Sequence, residues 1–481
     1  MAHCAAALTR DSTHLMPTLP TVVMKFGGTS MKDAATIQRS AQIATTAGAG
    51  HGVVVVVSAM DQVTELLLDL GEAAAGDNRA CVYALMARLR EKHETAARGV
   101  GNGATDKVHA LLDKLERLVD GINAVGELTP RSKDAVVAFG EKLSTALMGC
   151  AMSCVAMTGQ EVGLVTSEQF GKAEPLMEVS LYQIAQTLGP VLERGERAVV
   201  SGFIAATQHG VTTTLGRGGS DYTACILGAA LEAKEVWIWS DVDGLMSADP
   251  RTVPAARLLS SVTFAEAIEM GQFGAKSMHP LALEPAAEHG IPVRFRNTFN
   301  LDSPGTRIVP EAPMGTVDEN TAGGGASAVK CVLMLKSAAL LNVSGAAMIG
   351  RPGTAAAVFS ALAQAGVNIV MISQGVSEAG ISLVVSREQA ERAKAVLERA
   401  LMRPGVARGV GLLEHVAVVA TVGSGMHGAL GIAARVFSAA AAAGINVIAI
   451  AQGSSELSIS FVVSEKDGPG AVRALHAAFI G

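Results

Sequence analysis

Asn368, Gln374 and Ser382 each return 78 positions later, as Asn446, Gln452 and Ser460. The segments around them, AAAVFSALAQAGVNIVMISQGVSEAGISLVVS and AARVFSAAAAAGINVIAIAQGSSELSISFVVS, are two copies of one unit. Each copy reads as strand, glycine turn, helix, strand, hairpin, strand and helix. A unit this small scarcely buries a core alone, so the copies are expected to pair. Both carry a glycine turn where strand meets helix, Gly345 to Met348 in one and Gly423 to Met426 in the other. Free backbone N–H groups at such a turn can hold a carboxylate. Asn368 and Asn446 open the second strand of each copy, and Gln374 and Gln452 close it. Their amides donate and accept, as a zwitterionic amino acid requires. One copy alone would read as turns and strand caps; repetition of all three features points to a ligand site.

Ahead of the repeat, residues 21–309 alternate strands with helices. Residues 53–57, 161–166, 197–201, 235–239 and 292–295 read as strands, and 134–152 and 220–231 as helices. Hydrophobic residues make up 49% of the chain but aromatics only 4%, so the cores must be built from Ala, Val, Leu and Ile. That composition and alternation predict an α/β protein, a mostly parallel sheet sandwiched by helices. Residues 1–20 read as a loose tail and the polar, glycine-rich stretch 310–327 as a linker. The first copy then spans 328–410 and the second 411–481, with 328–336 a candidate first strand for the latter.

A net charge of -6 with no block of like charges argues against a nucleic-acid surface. Apolar runs such as 53–57 fall far short of the ~20 residues of a membrane span. Six cysteines without a C-x-x-C pair fit reduced thiols in a cytoplasmic protein. Cys150 and Cys154 sit in an apolar helix and read as core, and no metal-ligand cluster is visible in the sequence.

Three clusters carry chemistry. Lys25-Phe26-Gly27-Gly28-Thr29-Ser30 follows the apolar run Val22-Val23-Met24. The glycines let backbone N–H groups approach an anion, Lys25 adds a full charge, and a helix from Asp33 adds its dipole. A plain glycine turn with an exposed lysine is the alternative. No G-x-x-x-x-G-K-[ST] string occurs, so the loop is not a Walker A motif. Next, Ser201-Gly202-Phe203 and Leu215-Gly216-Arg217-Gly218-Gly219-Ser220-Asp221 give a strand, a glycine-rich loop and a helix start. Arg217 can grip an anion in a bidentate way; Asp221 reads either as a site residue or as a helix cap. Last, Ser240-Asp241-Val242-Asp243-Gly244 and Asp249-Pro250-Arg251 leave a strand where open α/β sheets bind ligands, although Asp243-Gly244 and Asp249-Pro250 taken singly read as ordinary turns; Gly274-Ala275-Lys276 adds a cation. Glu141, inside an apolar helical stretch, needs a partner or a cationic ligand.

KFGGTS, VVSAMDQVT, ELTPRS…FGEKLS, SGFIA…TLGRGGSD, SDVDGLMSADPR, FGAKSMHP and NTFN…PGT stand in the order seen in aspartate kinases, which the chain resembles over essentially all residues beyond 20. The resemblance implies an amino-acid kinase fold followed by two ferredoxin-like ACT domains. It implies ATP-dependent phosphorylation of L-aspartate to 4-phospho-L-aspartate, the first step of lysine, threonine and methionine biosynthesis, with ATP and Mg2+. By similarity Lys25, Gly27, Gly28 and Ser30 would face the ATP phosphates, and Ser58 and Thr64 would approach phosphates and aspartate. Arg217 would clamp a substrate carboxylate beside Ser220 and Phe203, Glu141 would meet the ammonium, and Asp221 would organise the transfer centre. Ser240, Asp241, Met246, Arg251 and Lys276 would lie on the nucleotide side, with Met246 where lysine-sensitive members carry an aromatic residue.

In the repeat, Gly345, Met348, Asn368, Gln374, Gly423, Met426, Asn446 and Gln452 would form effector sites. The pattern NVSG…M…GVNIV…SQG…SE resembles the threonine-responsive branch, so threonine is favoured over lysine as effector. A homodimer or dimer of dimers through the ACT domains is implied, without nucleic acid or membrane as partner. No dinucleotide fingerprint follows the repeat, so a monofunctional kinase is expected rather than one fused to a homoserine dehydrogenase. The alternatives are another amino-acid kinase, such as one for glutamate, or a catalytically silent ACT sensor.

Overall fold

The computed structural model describes residues 19–76, 78–273, 279–310, 328–345, 353–375, 380–401 and 409–481. In chain order the elements are β1 (Thr21–Phe26), α1 (Ala34–Thr46), β2 (Gly52–Val57), α2 (Val63–Ala75), α3 (Arg79–Val100), α4 (Ala104–Val125), α5 (Pro130–Met152), β3 (Val155–Met157), β4 (Val165–Thr166), α6 (Met177–Glu193), β5 (Ala198–Ser201), β6 (Ile204–Thr207), β7 (Thr212–Thr214), α7 (Gly219–Ala230) and β8 (Glu235–Ser240). There follow β9 (Ser261–Thr263), α8 (Phe264–Gln272), α9 (Pro280–Glu288), β10 (Val293–Asn297), β11 (Thr306–Val309), β12 (Cys331–Ser344), α10 (Thr354–Gln364), β13 (Met371–Gln374), β14 (Gly380–Ser386), α11 (Arg387–Leu401), β15 (Gly409–Val422), α12 (Ile432–Ala442), β16 (Ala449–Gln452), β17 (Ser458–Ser464) and α13 (Gly468–Phe479). They divide into two units. One holds the residues up to Asp243 with Leu281–Pro310, and the other holds Gly244–Pro280 with the C-terminal repeat.

In the first unit the main sheet runs β3-β5-β2-β1-β8-β10-β11. Every pairing is parallel except that of β10 with β11. The five valines of β2 are fully buried, as a strand covered on both faces demands. In the register Phe26 lies opposite both Val57 and Trp239, and Val57 opposite Ser201. The C-terminal ends of β1, β2, β5 and β8 therefore share one edge, and the motifs that follow them emerge together.

Helix α5 starts at Pro130 behind Thr129, whose hydroxyl accepts from the Ser132 N–H. By length and composition it could cross a membrane, yet 78% of its apolar window is buried, and it forms the core of the helical layer. Cys150 belongs to that core. The expected strand 161–166 shortens to β4. Upstream of it the Glu161 carboxylate accepts from the N–H and hydroxyl of Thr158, 2.6 and 2.9 Å away, and this fixes a turn.

The second unit carries a sheet of order β13-β14-β12-β15-β17-β16. The central strands serve both copies of the repeat. Residues 331–335 of β12 pair with 418–422 of β15, while residues 338–344 pair with β14 on one side and with 409–416 on the other. The stretch 328–336, offered as a first strand for the second copy, overlaps the part of β12 that pairs with 418–422, and β15 runs across the expected boundary at 410/411. The ladder irregularity between these halves coincides with positive φ at Ser337 and His415, 57° and 56°. Val358, Leu362 and Leu397 from α10 and α11 cover the first half, and Val436, Leu475 and Phe479 from α12 and α13 the second. Strands β13 and β16, at the two ends of the sheet order, touch through Ser373 Oγ, which donates to the Ile450 carbonyl at 2.8 Å.

Gly244–Pro280, which sequence reading assigns to the kinase-like part, is packed into this second unit. Ser247 Oγ bonds His476 Nε2 on α13 at 2.9 Å, and the Val332 N–H donates to the Ser247 carbonyl at 2.8 Å. Glu266 on α8 is ion-paired with Lys330 and accepts from the Ser424 N–H, both at 2.7 Å.

Candidate active site

Lys25 near the end of β1 and Asp221 in the first turn of α7 form an ion pair, Nζ to Oδ1, at 2.6 Å. Both side chains are largely buried, 11 and 12% exposed, so the pair is only weakly screened by solvent. Asp221 is not the helix cap, since Gly218 occupies that position with φ 77°. Glycine is also required at 202: a Cβ there would stand 2.6 Å from the Ser220 Cβ. Without it the start of α7 could not lie against the end of β5. Phe203 follows at φ 64°, a strained value for an aromatic residue, and its carbonyl accepts from the Leu215 N–H at 3.0 Å.

The glycine loop after β1 turns through a short 3-10 segment, Gly28–Met31. The Gly27 N–H donates to the Trp239 carbonyl at 3.2 Å, and a Cβ on Gly28 would lie 3.2 Å from the Ala59 carbonyl. Ser30 departs from expectation. It is fully buried and its hydroxyl bonds Thr298 Oγ1 at 2.7 Å, so it braces the loop from behind instead of offering a hydroxyl to an anion.

Glu141 lies on α5 and is 4% exposed. Its Oε1 accepts from the Ala59 N–H at 3.1 Å, while Oε2 is buried with no hydrogen-bond partner among the described residues. Burial pushes its pKa up to about 8, against the opposing pull of the Ala59 N–H and of Lys25. Ala59 thus ties two features together, its N–H on Glu141 and its carbonyl against Gly28. Ser58, half-buried, donates its N–H to the Phe26 carbonyl at 3.1 Å, and Thr64 lies half-buried in α2. Ser220 is buried beside Asp221. Arg217 is exposed and has no hydrogen-bond or ion-pair partner among the described residues.

Ser240 ends β8 and Asp241 is exposed just beyond it. Asp243, not singled out as a site residue from the sequence, accepts from the side-chain amides of Asn297 and Asn300 at 2.8 and 3.0 Å and fixes this strand end. Met246 and Arg251 belong to the second unit. Met246 is half-buried and bridged to Leu258, and Arg251 is exposed and paired with its own neighbour Asp249 at 2.7 Å. Lys276 lies outside the described residues.

In the repeat, Asn368, Gln374, Asn446 and Gln452 are exposed and Gly345 and Gly423 buried. The contact between β13 and β16 sets the strands that end in Gln374 and Gln452 side by side. Met426 is 3% exposed and part of the core under α12, which makes it a packing residue; Met348 lies outside the described residues.

An open parallel sheet with a lysine-glycine loop, a buried carboxylate helix and an Arg-Gly loop at one edge defines a kinase-type domain. The profile of the amino acid kinase family matches residues 20–297, and that of the ACT domain matches 341–401 and 419–479. Aspartokinase 1, chloroplastic, of Arabidopsis thaliana is 32% identical over 95% of this chain and 80% of its own length. The bifunctional aspartokinase/homoserine dehydrogenase 2 of Zea mays is 35% identical over 95% of this chain and 50% of its own. Among solved structures, E. coli aspartokinase III in complex with aspartate and ADP superposes with a TM-score of 0.79 at 29% identity, covering 96% of this chain and 100% of that one. The chain belongs to the amino acid kinase family, in its aspartokinase group, with two ACT domains behind the kinase domain. It spans about half the length of the bifunctional curated relatives that it matches.

Proposed function

We propose that the chain phosphorylates the side-chain carboxylate of L-aspartate from ATP, giving 4-phospho-L-aspartate, and is inhibited by an end-product amino acid bound to its ACT unit. The observation that carries this reading is that Ala59 links the Gly28 loop to Glu141, whose Oε2 is unpartnered among the described residues, while the Lys25–Asp221 pair borders the same loop at Gly27 and its lysine acts electrostatically on Glu141.

The attacking carboxylate is ionised at neutral pH, so the reaction asks for alignment and charge neutralisation rather than a strong base. The glycine loop passes beside Lys25, whose Nζ would lie 3.6 Å from a Cβ at Gly27, so the lysine charge borders the loop that would take the phosphates. Glu141 would accept the substrate ammonium through Oε2, and Arg217 would take the α-carboxylate. Among the described residues no group of three or more His, Cys, Asp or Glu side chains is placed to hold a metal. Magnesium bound with the nucleotide would supply neutralisation of phosphate charge. Incubation with ATP and aspartate, with hydroxylamine trapping of the acyl phosphate and glutamate as rival substrate, tests the reaction.

Threonine is the effector favoured by the SQG…SE pattern of the repeat, with Gln374 and Gln452 as its amide contacts. A structure of E. coli aspartokinase III in complex with lysine and aspartate makes lysine the rival. Inhibition by threonine that Gln374→Ala or Gln452→Ala relieves supports this assignment; inhibition by lysine alone overturns it. Exposed Val370 and Ile372 return at the repeat interval as exposed Ile448 and Ile450. This doubled apolar band fits pairing of two chains through the ACT unit. Light scattering on Ile372→Asp, against the wild type, would read the loss of that assembly.

A further inference from the structure

Asp134 is 2% exposed in the second turn of α5 (Pro130–Met152). Its carboxylate takes three donors: the Gly171 N–H at 2.9 Å, the Thr214 N–H at 3.1 Å and the Thr214 hydroxyl at 2.9 Å. Burial pushes its pKa up while these donors hold it down. Thr214 is the last residue of β7, three positions before Arg217. The loop beyond it turns on Gly216 and Gly218, with φ 72° and 77° on either side of Arg217. The Arg217 backbone is held on its C-terminal side by the Gly219 N–H on the Gly216 carbonyl at 3.0 Å, and on its N-terminal side by the Leu215 N–H on the Phe203 carbonyl at 3.0 Å and by the Asp134–Thr214 anchor.

The same helix carries Glu141, seven residues on. Two helical turns put both carboxylates on one face, roughly 10 Å apart along the axis. One rigid helix thus holds the proposed ammonium acceptor directly and the proposed carboxylate clamp through Thr214. We infer that Asp134 is a positioning residue that registers Arg217 against Glu141, so that the α-carboxylate and α-ammonium are gripped together and the α-carbon is fixed; only a side chain of one length then carries its carboxylate to the phosphoryl group at the Lys25 end. The inference rests on the aspartate-kinase reading above. A charge buried for stability alone would be an expensive brace, whereas a rigid three-donor clamp is what a length-selective site needs.

The test compares wild type, Asp134→Asn and Thr214→Val in KM for aspartate, KM for ATP, kcat, and the ratio of kcat/KM for aspartate against glutamate, one methylene longer. Thermal unfolding is read alongside. In Asp134→Asn an amide N–H faces a donor, so KM for aspartate should rise on the order of tenfold. KM for ATP should hold and the preference for aspartate over glutamate should fall. Thr214→Val loses only the hydroxyl bond and should move the same values less. A lower melting temperature or kcat with unchanged aspartate KM and selectivity would overturn the inference. Should Asp134→Asn fail to fold, Thr214→Val decides the question by the same readouts. A wild type inactive on aspartate would fail the underlying reading and this inference together. An active wild type whose variants keep its KM and selectivity would fail this inference alone.

Discussion

Lys25 Nζ stands 2.6 Å from Asp221 Oδ1, joining the strand before the glycine loop to the first turn of α7. Removing one partner of a pair this buried strands the other charge, so stability and function should be lost together in single variants. Lys25→Met is expected to lower kcat by on the order of 10²–10³ and to destabilise the protein. Lys25→Met with Asp221→Asn should recover much of the stability and none of the rate. Melting temperatures and initial rates of both singles and the double complete the cycle.

Glu141 gives a pH dependence whose sign follows from its raised pKa of about 8. Above the usual carboxylate range the unfolded chain ionises this group while the folded protein keeps it protonated. Stability should therefore fall as pH rises from about 4.5 to about 8 and level off beyond. Glu141→Gln should flatten this window and melt higher than wild type at pH 8, yet raise KM for aspartate at least ~tenfold through loss of a charge-assisted contact. Melting curves at pH 6 and 8, with aspartate titrations, check both halves.

Gly202→Ala brings a methyl to 2.6 Å from the Ser220 Cβ, where only a shift of α7 relieves it. A cost of about 1–3 kcal/mol is expected from such overpacking. The rate should suffer more, because Asp221 moves with the helix. Unfolding in urea beside initial rates separates the two effects.

Glu266 and Lys330 make a further prediction in the second unit. Burial would push the Glu266 pKa up, but Lys330 and the N–H groups of Ser424 and Thr263 hold it below the usual carboxylate value. Its stabilising contribution should be present above about pH 4.5 and fade as pH falls through the depressed folded value. Lys330→Met should cost about 2 kcal/mol, less than a fully buried pair because Lys330 is 31% exposed. Since Glu266 also holds the Ser424 N–H, the variant should respond less to the effector, as effector titrations would show.

Elements whose local composition decides them were legible in the sequence. The valines of β2 admit no other reading, and the repeat announces two copies of one fold. What escaped depends on pairing across distance. The sequence offered 328–336 as a first strand for the second copy, but nothing local says that one unbroken strand, 331–344, serves both copies, nor that Gly244–Pro280 packs with the repeat. Lys25, Glu141 and Asp221 stood out because a charge among glycines or apolar residues needs a partner. Asp134 hid in the polar opening of α5, where an acid reads as ordinary helix chemistry; its spacing of two turns from Glu141 was the available signal. Ser30 misled for the opposite reason, since a hydroxyl in a glycine loop suggests phosphate while Thr298, far along the chain, takes it up.

The central claim is tested most directly by the acyl phosphate itself. With ATP, Mg2+ and L-aspartate, hydroxylamine should trap aspartyl hydroxamate in step with ADP release, and Lys25→Met should slow both together by on the order of 10²–10³. ADP release without hydroxamate, or hydroxamate formed from glutamate and not from aspartate, would contradict the account.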